Sequence, residues 1–155
     1  MDKVYLRLKD RVDDLWNFWS DETRYRFTIE KQGGEGVYDR LKFFRQNLTR
    51  AGNRENPKEI TIDKWYLEEL YQKQKGRCVL SGLELEFTRG GTNWGGKWCN
   101  PKSCTVDRID NNLGYIRENV QLVTWEINAT KSHIQNQDFI RLCEHVVSYQ
   151  KVLME

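Results

Sequence analysis

A chain of 155 residues has the size of a single domain and is long enough to bury a hydrophobic core. Its 25 Lys and Arg stand against 23 Asp and Glu, so a net charge of +2 excludes a molecule-wide basic field, and any nucleic-acid footprint has to be local. Six Trp against two Pro, with 38 % hydrophobic residues, exclude a disordered chain; the charged opening MDKVYLRLKD carries no secretory apolar core, and no later run is long enough to span a membrane. The expectation is a soluble, intracellular, cytoplasmic protein whose four cysteines are thiols rather than a disulfide framework.

The first element is an amphipathic helix, because Val4, Leu8, Val12, Leu15, Trp16 and Trp19 recur at steps of three and four. Tyr25, Phe27 and Ile29 alternate with polar neighbours as in a short strand, and KQGGEG follows as a loop. A second helix is expected over YDRLKFFRQNLTR, with Leu41, Phe44 and Leu48 on one face. Arg40, Lys42, Arg45, Arg50 and Arg54 fall in this region with no acid between them, which supplies a local footprint suited to DNA phosphates. Thr61 stands where an N-cap would open a third helix, with Ile62, Trp65, Tyr66 and Leu70 at helical spacing and Gly76 as the stop. RCVLSGLELEF reads as strand and turn, and the glycine-rich RGGTNWGGKWCNPKS as a loop. The chain ends in a helix whose buried stripe is expected to be Phe139, Ile140, Cys143, Val146 and Val147. Residues 1–60 form a helical, basic, DNA-contacting segment and 61–155 the remaining core, the two expected to make one compact unit.

The chemistry concentrates in VDRIDNNLGYIRENVQLVTWEINATK. Ser103 to Arg108 can form a strand, Asp110 to Gly114 has turn composition, and Val120 to Val123 can return as the second strand of a hairpin. TWEINATKS can be helical, which puts Asn128 and Lys131 one turn apart on one face. A hairpin packed on that helix can bring Asp107 close to Asn128. Two oxygen ligands on one side suit a hard divalent cation such as Mg²⁺ or Mn²⁺, whose other positions take water and phosphate oxygens. Phosphodiester hydrolysis is the reaction that suits these parts.

GRCVLSGLELE, then TVDRIDNNLGYIRENVQLVTWEINATKS, then DFIRL, together about half the chain from Arg77 to Leu142, resembles the HNH (His-Asn-His) endonucleases of the ββα-metal superfamily, in a phage-type branch with a DRID motif. The resemblance implies an α+β fold with a ββα-metal core, a β-hairpin plus helix, flanked by several α-helices. It implies a metal-dependent DNA endonuclease or nicking enzyme acting on double-stranded DNA, of the kind found among phage homing endonucleases and genome-packaging partners. Asp107 matches the family's metal-binding aspartate and Asn128 its third motif residue, which contributes to metal binding. Asn119 matches the middle asparagine that ties the loop, and Lys131 the helix lysine, taken here as facing phosphate.

One departure bears on mechanism. The histidine that activates water in the family would fall at Arg108, which stays protonated and cannot act as an ordinary base but can clamp a phosphate oxygen. Asp110, His133 or a metal-held water acting without a side-chain base are the alternatives for proton removal. Asp110 also reads as a plain turn residue, and His133 and His145 as ordinary polar-face residues. Cys78, Cys99 and Cys104 lack CxxC spacing, so a structural Zn²⁺ would have three thiolates and no named fourth ligand; Cys143 is expected in the core. Two rival classes are a DNA-binding protein on an HNH-like fold that has lost cleavage, and a zinc-stabilised interaction protein.

Overall fold

The computed structural model describes residues 35–88 and 100–155; the expected first helix, the strand at Tyr25 to Ile29 and most of the glycine-rich loop lie outside the described residues. The described chain is mixed α+β. It runs α1 (Glu35–Gly52), α2 (Lys64–Lys73), β1 (Cys104–Arg108), β2 (Val120–Thr124), α3 (Trp125–Lys131) and α4 (Asn136–Met154). The strands pair antiparallel, with Cys104 opposite Thr124 and Arg108 opposite Val120. α3 follows β2 directly and packs against both strands. No helix among the described residues is long and apolar enough to cross a membrane.

α1 buries Leu41, Phe44 and Ala51, with Leu48 partly covered, and these positions keep the period of one helical face. Phe43 is buried beside them, while Lys42, Arg45 and Arg50 are exposed. Arg40 is placed differently from those cations. It makes a two-pronged contact with Glu68 of α2, Nε to Oε2 at 2.9 Å and Nη2 to Oε1 at 2.7 Å, and its guanidinium lies 4.6 Å from the Tyr71 ring centroid. Glu68 is fully buried and also accepts from Gln72, so Arg40 compensates an interior carboxylate rather than facing DNA. The acid missing from the run around Arg40 is supplied by the next helix.

α2 opens two residues later than expected. Asp63, not Thr61, is the N-cap: its backbone is extended and its carboxylate accepts from the Tyr66 N–H at 2.9 Å. Thr61 instead donates its N–H to the Tyr115 carbonyl at 3.1 Å, while Tyr115 N–H donates to Glu59 O at 2.7 Å, forming a one-residue parallel bridge between Ile60 and Tyr115. This bridge requires Gly114, because a Cβ there would lie 2.3 Å from the Glu59 carbonyl oxygen. α2 ends through Lys75 and Gly76, both at positive φ.

RCVLSGLELEF forms a turn with two isolated bridges, Arg77 to Glu84 and Glu86 to Ser103, rather than a continuous strand. Its Phe87 packs edge-on against Phe43, Phe44 and Tyr71, with ring centroids 5.3 to 5.6 Å apart. Phe43, Phe44, Leu67, Cys78, Leu85, Cys104 and Leu122 belong to one buried cluster, so the core is continuous across residue 60.

α4 departs most from expectation. Only Phe139 of its apolar stripe is buried; Ile140 is 38 %, Val146 55 % and Val147 51 % exposed, and Cys143 is exposed too. The first turns lean over a groove of about 420 Å³ lined by Leu80, Ile127 and Phe139. A 19-residue helix is roughly 28 Å long by the 1.5 Å rise, and the rest of its stripe finds no cover among the described residues.

Candidate functional site

Asp107 and Gln121 are directly opposed in the hairpin register and therefore share a face. Gln121 Nε2 donates to Asp107 Oδ2 at 2.8 Å. Gln121 and Asn136 exchange amide hydrogen bonds at 2.9 and 3.0 Å, which ties the start of α4 to β2. Lys131, on the last turn of α3, places Nζ 3.1 Å from the same Asp107 oxygen. Both members of this ion pair are buried, Lys131 at 0 % exposure and Asp107 at 4 %. The Lys131 ammonium has the charge contact but no well-directed hydrogen bond. Lys131 was expected to face phosphate; in this structure it has no exposed surface and compensates Asp107 instead. Asp107, in turn, is a largely buried carboxylate with Oδ2 engaged by Gln121 and Lys131, at the border of a cleft.

Beside this pair opens a polar cleft of about 250 Å³, lined by Arg54, Asp107, Arg108, Asn111, Tyr115 and Asn128 with Val106, Ala129 and Ser132. Asn128 projects from the half-buried face of α3, and its side chain makes no hydrogen bond among the described residues. The Asp107 carboxylate and the Asn128 amide both line this cleft, an oxygen donor set that suits a hard cation retaining several waters. Among the described residues no cluster of three or more His, Cys, Asp or Glu occurs, so such an ion would rest on Asp107, Asn128, water and substrate oxygens.

Asn119 laces the loop between the strands. Its Oδ1 accepts from Asp110 N–H at 2.9 Å, and its Nδ2 donates to the carbonyls of Asp110 and Gly114 at 3.1 and 2.8 Å. Buried and with its amide bonded at both ends, it shapes the loop rather than touching the cleft. Asp110 accepts from Asn112 N–H at 2.9 Å, the side-chain turn its neighbours suggested, and does not line the cleft. His133 is exposed with Nδ1 3.4 Å from Ser132 Oγ, and it does not line the cleft either. Neither alternative base is therefore brought to the site.

Arg108 is held by its own loop: Nη1 donates to the carbonyls of Asn111 and Leu113, both at 2.9 Å, and the guanidinium lies 5.4 Å from the Tyr115 ring centroid. Its remaining N–H groups have no partner among the described residues, which suits a clamp for an oxyanion. Arg54 reaches the same cleft from beyond α1, its Nη1 donating to the Tyr115 hydroxyl at 3.2 Å.

Gln121, Asn136, Tyr115 and Asn111 are site residues that the sequence pattern did not single out. A signal for Gln121 was present: it is one of two polar residues in VQLVT, a strand buried at every position, and a buried amide needs a partner. Cys78 and Cys104 are buried free thiols, and Cys99 lies outside the described residues. Burial pushes the Cys104 thiol well above its ordinary value, with Cys78 and Glu68 nearby adding to the effect, so it stays protonated at neutral pH.

No protein-family model matches this chain, and neither a curated protein nor a solved structure matches it.

Proposed function

We propose that the chain is a divalent-metal-dependent DNA endonuclease or nicking enzyme of the HNH type, with β1, β2 and α3 as its ββα-metal core. The observation that carries this reading is the convergence of Asp107, Asn128 and Arg108 on one polar cleft, beside a loop tied by Asn119. The donor set fits Mg²⁺ or Mn²⁺ held by Asp107 and Asn128, an ion that when bound would polarise the scissile phosphate and stabilise the leaving oxygen. Gln121 fixes the Asp107 carboxylate, and the Asn111 and Leu113 carbonyls fix Arg108 so that its free N–H groups meet developing negative charge without reorganisation. Lys42, Arg45 and Arg50 on the exposed side of α1 give sequence-independent backbone contacts to double-stranded DNA.

Plasmid nicking in Mg²⁺ or Mn²⁺ tests this reading, with Asn128→Ala as the site variant because its side chain supports nothing else. The expected result is metal-dependent nicking that falls by ~10²-fold or more in Asn128→Ala with unchanged thermal unfolding. Equal nicking by the variant would remove Asn128 from the site. A second reading, a DNA-binding protein on the same fold without cleavage, is favoured by the Lys131 contact on Asp107 and by Arg108 standing where the family has its base. That reading expects salt-sensitive DNA binding and intact plasmid in every divalent metal.

A further inference from the structure

The cleft contains more donors than a metal and one scissile phosphate require. Arg54 and Arg108 approach Tyr115 separately, one at its hydroxyl and one over its ring. Because the hydroxyl oxygen accepts from Arg54, its own proton is left to donate, and it has no acceptor among the described residues. Asn111 Nδ2 is a buried donor with no partner, on a side chain that lines the same cleft. Such an atom costs stability unless something in the cleft accepts from it. The only carboxylate in the lining is Asp107, whose charge Lys131 offsets at 3.1 Å. Two guanidinium groups, a phenol and an amide N–H thus surround a space with no uncompensated negative charge among the described residues.

We propose that Arg54, Asn111 and Tyr115, with Arg108 shared between this site and the scissile phosphate, form a phosphate seat that holds a backbone phosphate of the bound DNA next to the scissile one. A phosphodiester supplies two non-bridging oxygens carrying one negative charge, which matches donors on two sides and a positive lining. The seat joins the end of the α1 segment to the hairpin loop, so it couples DNA docking on the basic helix to the register of the strand in the cleft. Its carrier rests on the nuclease reading; its preference for a phosphate oxyanion does not.

Orthophosphate titrated into the full chain without metal at low salt, followed by the arginine Nε–H resonances in NMR, tests the seat directly. Saturable shifts of Arg54 and Arg108 are expected. Asn111→Asp, nearly isosteric but placing a carboxylate beside the anion, should weaken binding by about tenfold or more. Tyr115→Phe keeps the ring and should weaken it several-fold, while Asn111→Ala serves if the aspartate variant fails to fold. A short duplex in EDTA should move the same resonances and lose affinity in Asn111→Asp, which identifies a DNA phosphate rather than free phosphate as the occupant. Binding of both probes with plasmid left intact in Mg²⁺ and Mn²⁺ would sustain the seat and sink the nuclease reading. Nicking by wild type and Asn111→Asp alike, with unmoved arginine resonances, would overturn the seat and spare the nuclease.

Discussion

Replacing Lys131 with Met separates a structural cation from a DNA contact. The substitution keeps the length of the side chain and leaves Asp107 buried without its compensating charge. At 3.1 Å and an effective permittivity near 20, the Coulomb attraction is about 5 kcal/mol. Breaking a buried pair from one side typically costs 3–5 kcal/mol, and Asp107 keeps its hydrogen bond from Gln121 and borders a cleft, so the expected loss is about 3 kcal/mol. For a chain of this size that lowers Tm by roughly 6–12 °C. Thermal unfolding in EDTA measures it, and the double variant Asp107→Asn/Lys131→Met should recover much of the loss. Millimolar Mn²⁺ should then stabilise Lys131→Met more than wild type, by up to ~2.7 kcal/mol at a hundredfold excess over Kd, because the freed carboxylate accepts a cation in place of the ammonium. A loss below about 1 kcal/mol in EDTA would refute the claim that Lys131 is the charge that makes Asp107 tolerable inside the fold. An equal Mn²⁺ response in both proteins would show that the Lys131 ammonium does not compete with the cation for this carboxylate.

Ser132 closes α3 at φ 51° and ψ −121°, a conformation that favours glycine, so Ser132→Gly should stabilise the fold by about 1 kcal/mol in chemical denaturation; an unchanged midpoint would mean no strain resides there. Gly114→Ala should destabilise by ~2 kcal/mol or more, since the new methyl meets the Glu59 carbonyl oxygen, and amide exchange at Tyr115 should rise with it. Exposed Cys143 should react with a thiol reagent in the native protein, and buried Cys78 and Cys104 only after unfolding. Because the Cys104 thiol is raised above its ordinary 9.0, the unfolded state releases the proton first, and stability should fall as pH climbs past about 9 by at most ~1.4 kcal/mol per pH unit from this group; a flat alkaline limb would contradict it.

The hairpin was legible because turn composition and strand patterning agreed over a short span: Asp110 to Gly114 form the turn region, and Val120 begins the return strand. α1 was legible for the same reason, since Leu41, Phe44 and Leu48 keep helical period. The environment of each charge was not. Lys131 and Arg40 have the composition of surface residues, and only the placement of α3 and α2 turns them inward onto Asp107 and Glu68. Asp63 rather than Thr61 caps α2 because its carboxylate accepts from the Tyr66 N–H, and Thr61 is instead tied by its N–H to the Tyr115 carbonyl 54 positions later, a non-local bond that no window around Thr61 contains. The α4 stripe, expected to be buried, is exposed beyond Phe139, because periodicity says which residues share a face, not whether a neighbour covers it.

The tie between Arg54 and Tyr115 spans 61 positions along the chain, and the bridge from Ile60 to Tyr115 closes nearly as large a loop. Closure of that length is entropically costly before the contacts it enables can repay it, so the cleft belongs to the slow, late part of folding. During synthesis, α1 and α2 can pair through Arg40 and Glu68 while the hairpin is still inside the ribosome. A nascent chain therefore has no assembled cleft until Tyr115 has emerged and docked.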